Sequence, residues 1–439
     1  MHQREEASPS LATHPATEKK WHDGSLARDR SVRDAEQQDH QSHAMDSSRS
    51  WTRANSRDDE AEAPPQPALQ NSSLEHRANH GNDTISLRLS QLYTLSYLVF
   101  FAIMGTLARL GLSALTSYAN TPVLFTGIWA NFGGCVIMGF LIEDQMLFQQ
   151  KWRPASDESV LTPAAEQIQQ DGASYTAAKK AHVAYKKTIP LYIGLTTGFC
   201  GSFTSFSTFI RDVLLAMSND MSAPGRGVAP ESRSGGYSFL AMAAVVITTV
   251  ALSLGGLVFG GHCAMAMERI LPSLSRSMTR RLIDPLFVLL GWGCWIGAIV
   301  MAVLPPHDAW RGQVLFALVF APLGCLTRYS LALWLNGKTV ALPLGTLAAN
   351  ITGTAVLGMA WDLAHVRSGG FLGCQVLQGV EDGFCGCLTT VSTWVAELNS
   401  LGRRSAYMYG LTSVLVSFAV MVLIMGGLRW TDGWSALVC

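Results

Sequence analysis

The stretch Gly198-Phe-Cys-Gly-Ser-Phe-Thr-Ser-Phe-Ser-Thr-Phe209 occurs twice in this chain. Its second copy, Gly383-Phe-Cys-Gly-Cys-Leu-Thr-Thr-Val-Ser-Thr-Trp394, lies 185 residues on and repeats the Gly, Phe, Cys, Gly, Thr, Ser and Thr. Repeats this close within one chain mean duplicated structure. Two more blocks follow the pattern at a spacing of 219: Gly105-Thr-Leu-Ala-Arg109 returns as Gly324-Cys-Leu-Thr-Arg328, and Asn131-Phe-Gly-Gly-Cys-Val-Ile-Met-Gly139 as Asn350-Ile-Thr-Gly-Thr-Ala-Val-Leu-Gly358. The first half therefore carries 34 extra residues between its Asn block and its Gly-Phe-Cys-Gly block, which fits a polar insert at about 149–187. Two homologous halves in one chain is the first conclusion.

At 49% apolar and 15% charged, the composition indicates a membrane protein. A formal net charge of zero gives no argument for nucleic acid. Residues 1–90 are crowded with charged and polar side chains and short of aliphatic ones, so they are expected to form a disordered tail, unable to offset its ordering entropy by burial. No short apolar core of a signal peptide is present in that tail. The nine Cys show no paired spacing and most read as small hydrophobes. Cys385 and Cys387 form a CxC, but with no His or second Cys pair beside them a metal site is not indicated.

A crossing needs roughly 20 apolar residues. Nine segments qualify, at about 92–117, 122–142, 188–217, 237–260, 283–304, 312–335, 341–363, 373–401 and 406–428. The third and eighth hold the repeated motif, and their Gly and Ser/Thr runs predict membrane helices broken near the midplane, at Gly201 and Gly386. Freed backbone groups survive there only when buried in protein or lining a wet cavity. Lys and Arg flanking the spans number fifteen on the side of the N-terminus and five on the other, which predicts a cytoplasmic N-terminus and an external C-terminus. Each repeat has four spans, so direct fusion would leave both pointing the same way. The unpaired span at 283–304 inverts the second half. The expected fold is all-α and polytopic: a first four-helix repeat at 91–262, a linker at 263–310, a second repeat at 311–430 and a tail at 431–439. The two repeats form an antiparallel pseudo-dimer with its axis in the membrane plane.

Polar content inside the spans is selective. It consists of amides (Asn131, Asn350), hydroxyls (Thr204, Ser205, Ser207, Thr208; Thr389, Thr390, Ser392, Thr393) and two arginines (Arg109, Arg328). Acids sit at span ends, with Glu397 deeper, and neither repeat is expected to hold a matched buried acid. A proton- or cation-coupled transporter needs such a carboxylate. Amide and hydroxyl donors suit a small anion, replacing its water without a fixed countercharge that would trap it. Phe206 and Phe209 can offer partly positive ring edges to an anion, although packing is the commoner role of Phe in a span. Asn131 and Asn350 can equally be interhelical glue, and the arginines can snorkel to an interface or gather anions in a vestibule. Recurrence in both halves is what favours the functional reading of all these residues together.

The order Gly-x-x-x-Arg, then Asn with trailing glycines, then Gly-Phe-x-Gly-x-x-Thr-[Thr/Ser]-Phe-Ser-Thr-Phe resembles the Fluc/FEX fluoride channels. The inverted tandem form with one linker helix is similar to the eukaryotic, particularly fungal, fluoride export proteins, over about residues 95–428. The resemblance implies a passive fluoride-selective channel that exports fluoride from the cytoplasm across the plasma membrane and confers fluoride resistance, working as a monomer that contains both repeats. It assigns the pore amides to Asn131 and Asn350, the aromatic pair to Phe206 and Phe209, and a cytoplasmic-side arginine to Arg109 and Arg328. The motif's hydroxyls fall at Ser207, Thr208, Ser392 and Thr393. A structural sodium ion would sit on backbone carbonyls at Gly201, Thr204, Gly386 and Thr389. A hydroxyl track on the last helix of each repeat points to Thr248, Thr249, Ser413 and Ser417. The second half departs from the pattern, with Val391 and Trp394 at the aromatic positions, which implies that the two pores differ. No Gly-x-x-x-x-Gly-Lys-[Ser/Thr] is present to bind ATP. The competing reading is an inverted-repeat small-solute antiporter of the small multidrug transporter type, which should carry a buried Glu in an early span of each repeat. A membrane enzyme would need a catalytic cluster, and His262, His307 and His365 are scattered. The sequons at Asn71 and Asn82 are expected to face the cytosol unmodified.

Overall fold

A computed structural model describes residues 69–148, 181–221, 232–274, 278–304, 314–339, 342–366, 370–437 and 439. The N-terminal residues before 69, the core of the polar insert, and the loops holding Arg226, Arg276, Arg311, Arg367 and His307 lie outside these. Among the described residues there is no strand. The helices run α1 (Leu69–Thr116), α2 (Gly127–Glu143), α3 (Pro190–Phe203), α4 (Phe206–Ser218), α5 (Gly235–Met267), α6 (Thr279–Val303), α7 (Phe316–Leu335), α8 (Leu344–His365), α9 (Phe371–Leu388), α10 (Ser392–Ser400) and α11 (Arg403–Thr431). Five of them, α1 from Leu87, α5, α6, α7 and α11, are long and apolar enough to cross a membrane, and α2 is a shorter apolar helix. The start of α1 corrects one expectation: from Leu69 to Ser90 the segment read as disordered is helical.

Close backbone approach organises the first half. α2 packs along α5, and a side chain on Gly139 would strike the carbonyl of Leu257, as one on Gly260 would strike that of Val136. Small residues at such crossings bring backbones together where lipid supplies no hydrophobic drive. Lys186, wholly buried at the end of a helical turn at 181–186, closes the end of α2. Its ammonium donates to the carbonyls of Leu141 (3.0 Å), Ile142 (2.8 Å) and Asp144 (2.7 Å). Those last-turn carbonyls have no intrahelical partner, and a cation there also meets the negative end of the helix dipole.

Helix α6 docks on both halves. Tyr97 of α1 donates to Asp284 (2.7 Å) and Trp292 donates to Ser96 (3.1 Å), while Trp295 donates to the Val319 carbonyl of α7 (2.9 Å).

The cysteines include a pair the spacing does not reveal. Cys374 on α9 is disulfide-bonded to Cys439, 65 residues away, because the chain after α11 folds back onto the ends of α8 and α9. The seven other cysteines are free, five of them buried.

Candidate functional site

Two broken helices meet at the centre of the molecule. Each is built the same way: a π-helical stretch (Gly194–Cys200, Val380–Cys385), one more helical turn (Gly201–Phe203, Gly386–Leu388), and then an extended residue. The chain breaks at Thr204 (φ −94°, ψ 148°) and Thr389 (φ −93°, ψ 154°), not at Gly201 and Gly386, which stay helical. The reason is visible at the glycines. A Cβ on Gly201 would strike the guanidinium of Arg328, and one on Gly386 that of Arg109, so each glycine cradles the other half's arginine.

These arginines are buried, not at open mouths: Arg109 is 6% and Arg328 3% exposed. Arg328 donates to the carbonyls of Thr197 (2.7 Å) and Cys387 (2.8 Å), and Arg109 donates to that of Asp382. The widened π-turns free such carbonyls to accept from a side chain. Arg109 keeps its Nε and Nη1 without a protein partner.

Beyond the breaks the hydroxyls interlock across the halves. Thr204 Oγ1 accepts from the amides of Val391 (3.2 Å) and Ser392 (3.1 Å), and Thr389 Oγ1 accepts from that of Ser207 (3.0 Å). Ser392 donates to the Cys200 carbonyl (3.0 Å). Each asparagine clamps the break of its own half: Asn131 Oδ1 accepts from the amide of Ser205, and Asn350 Oδ1 from that of Thr390, both at 2.9 Å. Ser205 and Thr390 then cap the following helix through the amides of Thr208 and Thr393, each at 3.3 Å. All these groups except Thr208 and Thr393 are buried.

The aromatic positions come together across the halves. The Phe206 ring lies edge-to-face with Phe209 (5.6 Å between centroids) and with Trp394 (5.3 Å). Val391 is fully buried and offers no ring. Trp394 has its indole N–H buried with no partner, which adds a donor that phenylalanine lacks. Of the track residues, Thr249, Ser413 and Ser417 are buried, whereas Thr248 bonds back to the Ala244 carbonyl (2.6 Å). Ser253 and Ser417 hold hydroxyls without a protein partner.

Two features escaped the sequence reading. The first is a matched acid. Asp212 and Glu397 stand 185 residues apart, at equivalent places in the repeats. Asp212 is buried beside Arg211 (3.3 Å), and Glu397 accepts from Thr346 (2.6 Å) and Tyr409 (2.7 Å). The two are matched in position but not in burial, Asp212 being buried and Glu397 half-buried. Both carboxylates are engaged rather than free. The equivalence was legible as the same 185 spacing; the partners were not, because Thr346 and Tyr409 arrive from other helices. The second is Arg211, which has Ala396 as its counterpart and lines a chamber of 60 Å³ together with Arg109, Asn131, Ser205 and Thr208.

These features define a membrane protein of helical bundles whose buried amides, hydroxyls and ring edges gather where two broken helices cross. A family model described as "CrcB-like protein, Camphor Resistance (CrcB)" matches residues 96–261 and 315–427, and the chain belongs to that family in its fused two-domain eukaryotic form. It is 56% identical to Fluoride export protein 1 of Neurospora crassa over 81% of this chain and 70% of that protein. It is 33% identical to Fluoride export protein 1 of Candida albicans over 76% of this chain and 80% of that one. The Fluoride-specific ion channel FluC of Dechloromonas aromatica is 38% identical over 24% of this chain and 78% of its own length, about one half's worth. No solved structure matches.

Proposed function

We propose that this protein is a passive fluoride-selective channel that exports fluoride from the cytoplasm across the plasma membrane. The observation that carries this reading is the crossing itself: amides, hydroxyls and aromatic edges from both halves are buried there together. Such donors replace the water of a small anion, and Arg109 and Arg211, which line the chamber beside Asn131, would draw it there. A negative-inside potential drives an anion outward by about 2.3 kcal/mol per 100 mV, so no energy-coupling site is needed. The acids at Asp212 and Glu397 do not favour the antiporter, since one is paired with Arg211 and the other accepts two hydroxyls.

In this reading the chain crosses nine times: α3 with α4 makes one crossing and α9 with α10 another. α6 inverts the second half, and one chain supplies both pores as a monomer. The N-terminus is cytoplasmic and the C-terminus external. The Cys374–Cys439 disulfide supports that orientation, because such bonds persist in oxidising compartments. The pores are unequal, Phe206 and Trp394 serving one set of aromatic positions and Val391 blunting the other. A structural sodium ion suits the break, where the donors are uncharged oxygens of the kind hard cations take. Gly201, Thr204, Gly386 and Thr389 would hold it, and replacing sodium by N-methylglucamine would then lower the thermal midpoint of the purified protein by several degrees.

The test is efflux from potassium-loaded liposomes, triggered by a potassium ionophore and read with a fluoride electrode beside a chloride control. Fast fluoride efflux without chloride is the expected result. No fluoride efflux from folded protein sinks the reading.

A further inference from the structure

We propose that the C-terminal segment is a disulfide-anchored cap that narrows the outer mouth of the Asn131 pathway and leaves the Asn350 pathway as the main conductor. The inference rests on the channel reading above. The chamber beside Asn131 shares Leu110, Ser113, Arg211 and Asp382 with a larger cavity of 690 Å³. That cavity is also walled by Trp361, His365, Glu381 and, from the C-terminal segment, Leu437. An anion leaving the chamber by this route passes Leu437 of the segment.

The segment is held at four places. Cys439 is bonded to Cys374. Ser435 donates to the His365 carbonyl from both its amide (3.2 Å) and its hydroxyl. The Trp434 ring lies edge-to-face with Trp361 (5.8 Å), which itself stacks on His365 (4.4 Å). Arg429 sits over Trp434 (5.7 Å) and pairs through two nitrogens with Asp220, just past the end of α4, at 2.8 and 2.9 Å. At the chamber end of the same stack, Arg211 of α4 lies over Trp361 (5.3 Å). Cation–π and aromatic contacts therefore run without interruption from Arg211, which lines the chamber, through Trp361 and Trp434 to Arg429 and back to the far end of the same pore helix.

Among the described residues the other half shows no such stack. The residues at the matching positions are Ala396 for Arg211, Ile142 for Trp361 and Met146 for His365.

Two measurements test this. The first is independent of transport. Ser113→Cys places a thiol on the wall shared by chamber and cavity, and its modification by a charged methanethiosulfonate is followed by mass spectrometry, corrected for the parent chain. Removing the cap with Cys374→Ser, Cys439→Ser and Trp434→Ala together should raise that rate at least tenfold; an unchanged rate overturns the cap. The second is fluoride efflux. With the cap in place, Asn350→Asp should cut flux about tenfold and Asn131→Asp less than twofold, since a carboxylate in the conducting path repels the anion. Uncapping the Asn350→Asp chain should restore flux at least fivefold, and uncapping the chain with both substitutions should restore none. Equal losses from the two asparagine variants, or no recovery on uncapping, overturn the proposal. If the unaltered chain carries no fluoride, the channel reading fails while the labelling rate still decides whether the cap exists.

Discussion

Trp394 has an indole N–H that is buried beside the Phe206 ring and bonded to no protein atom. Buried donors are nearly always satisfied, so a passing anion or water is the natural acceptor, and the substitution of Trp for Phe adds a hydrogen bond to a position that otherwise offers a ring edge. A hydrogen bond to a charged group contributes about 1.5–3 kcal/mol. Trp394→Phe keeps the ring and removes the donor, so fluoride efflux should fall roughly tenfold or more, at 1.4 kcal/mol per tenfold, with the protein still monodisperse. Efflux equal to that of the unaltered chain would leave Trp394 as packing only. The paired asparagines and hydroxyls were legible in the sequence because duplication printed them twice at one spacing. The missing indole partner was not, and neither was the Thr346–Glu397–Tyr409 group, since each depends on where three helices meet. Gly201 and Gly386 were legible as special but misread: their lack of a side chain admits an arginine, and the break falls three residues later.

Helix α2 ends where Lys186 reaches it. In the sequence Lys186 is one of several cations in a polar insert, and nothing in its neighbours marks it for burial. Its role follows from geometry alone: three carbonyls at the end of α2 converge on one ammonium. Lys186→Met would keep most of the stem's packing and leave those carbonyls without their donor inside protein, at about 1–3 kcal/mol for each group that water cannot reach. The expected outcome is a thermal midpoint lower by several degrees in detergent, measured by loss of the monodisperse peak after heating. The flux per folded molecule should be preserved, because Lys186 lies outside the crossing. A midpoint unchanged from that of the parent would mean that water reaches the carbonyls and replaces the ammonium. The helix breaks carry the same lesson in the other direction. Glycine and hydroxyl runs announced an interruption, but not the π-turns that precede it, whose carbonyls at Thr197 and Asp382 accept from the other half's arginine.

Across the whole chain, duplication was enough to predict two similar halves, and the bonds at the centre relate those halves reciprocally. Thr204 reaches Val391 and Ser392 as Thr389 reaches Ser207, each half supplying to the other what it receives. Any two-fold rotation between the halves produces such reciprocity, whichever way its axis lies, so the proposed inversion rests on the one unmatched span. In the topology proposed above, helix α6 has two separable duties: reversing the second half, and docking through Asp284, Trp292 and Trp295. Deleting 279–303 should remove both and give no folded channel. Replacing the same residues by an unrelated apolar helix of equal length should restore the reversal without the docking. We expect that chain to fold with reduced thermal stability, having lost hydrogen bonds that contribute about 0.5–1.5 kcal/mol each, and to conduct fluoride at an undiminished rate per molecule. If the replacement conducts nothing although its second half is correctly oriented by protease protection, then α6 shapes the pathway itself, and the channel is more than two inverted repeats joined by a turn.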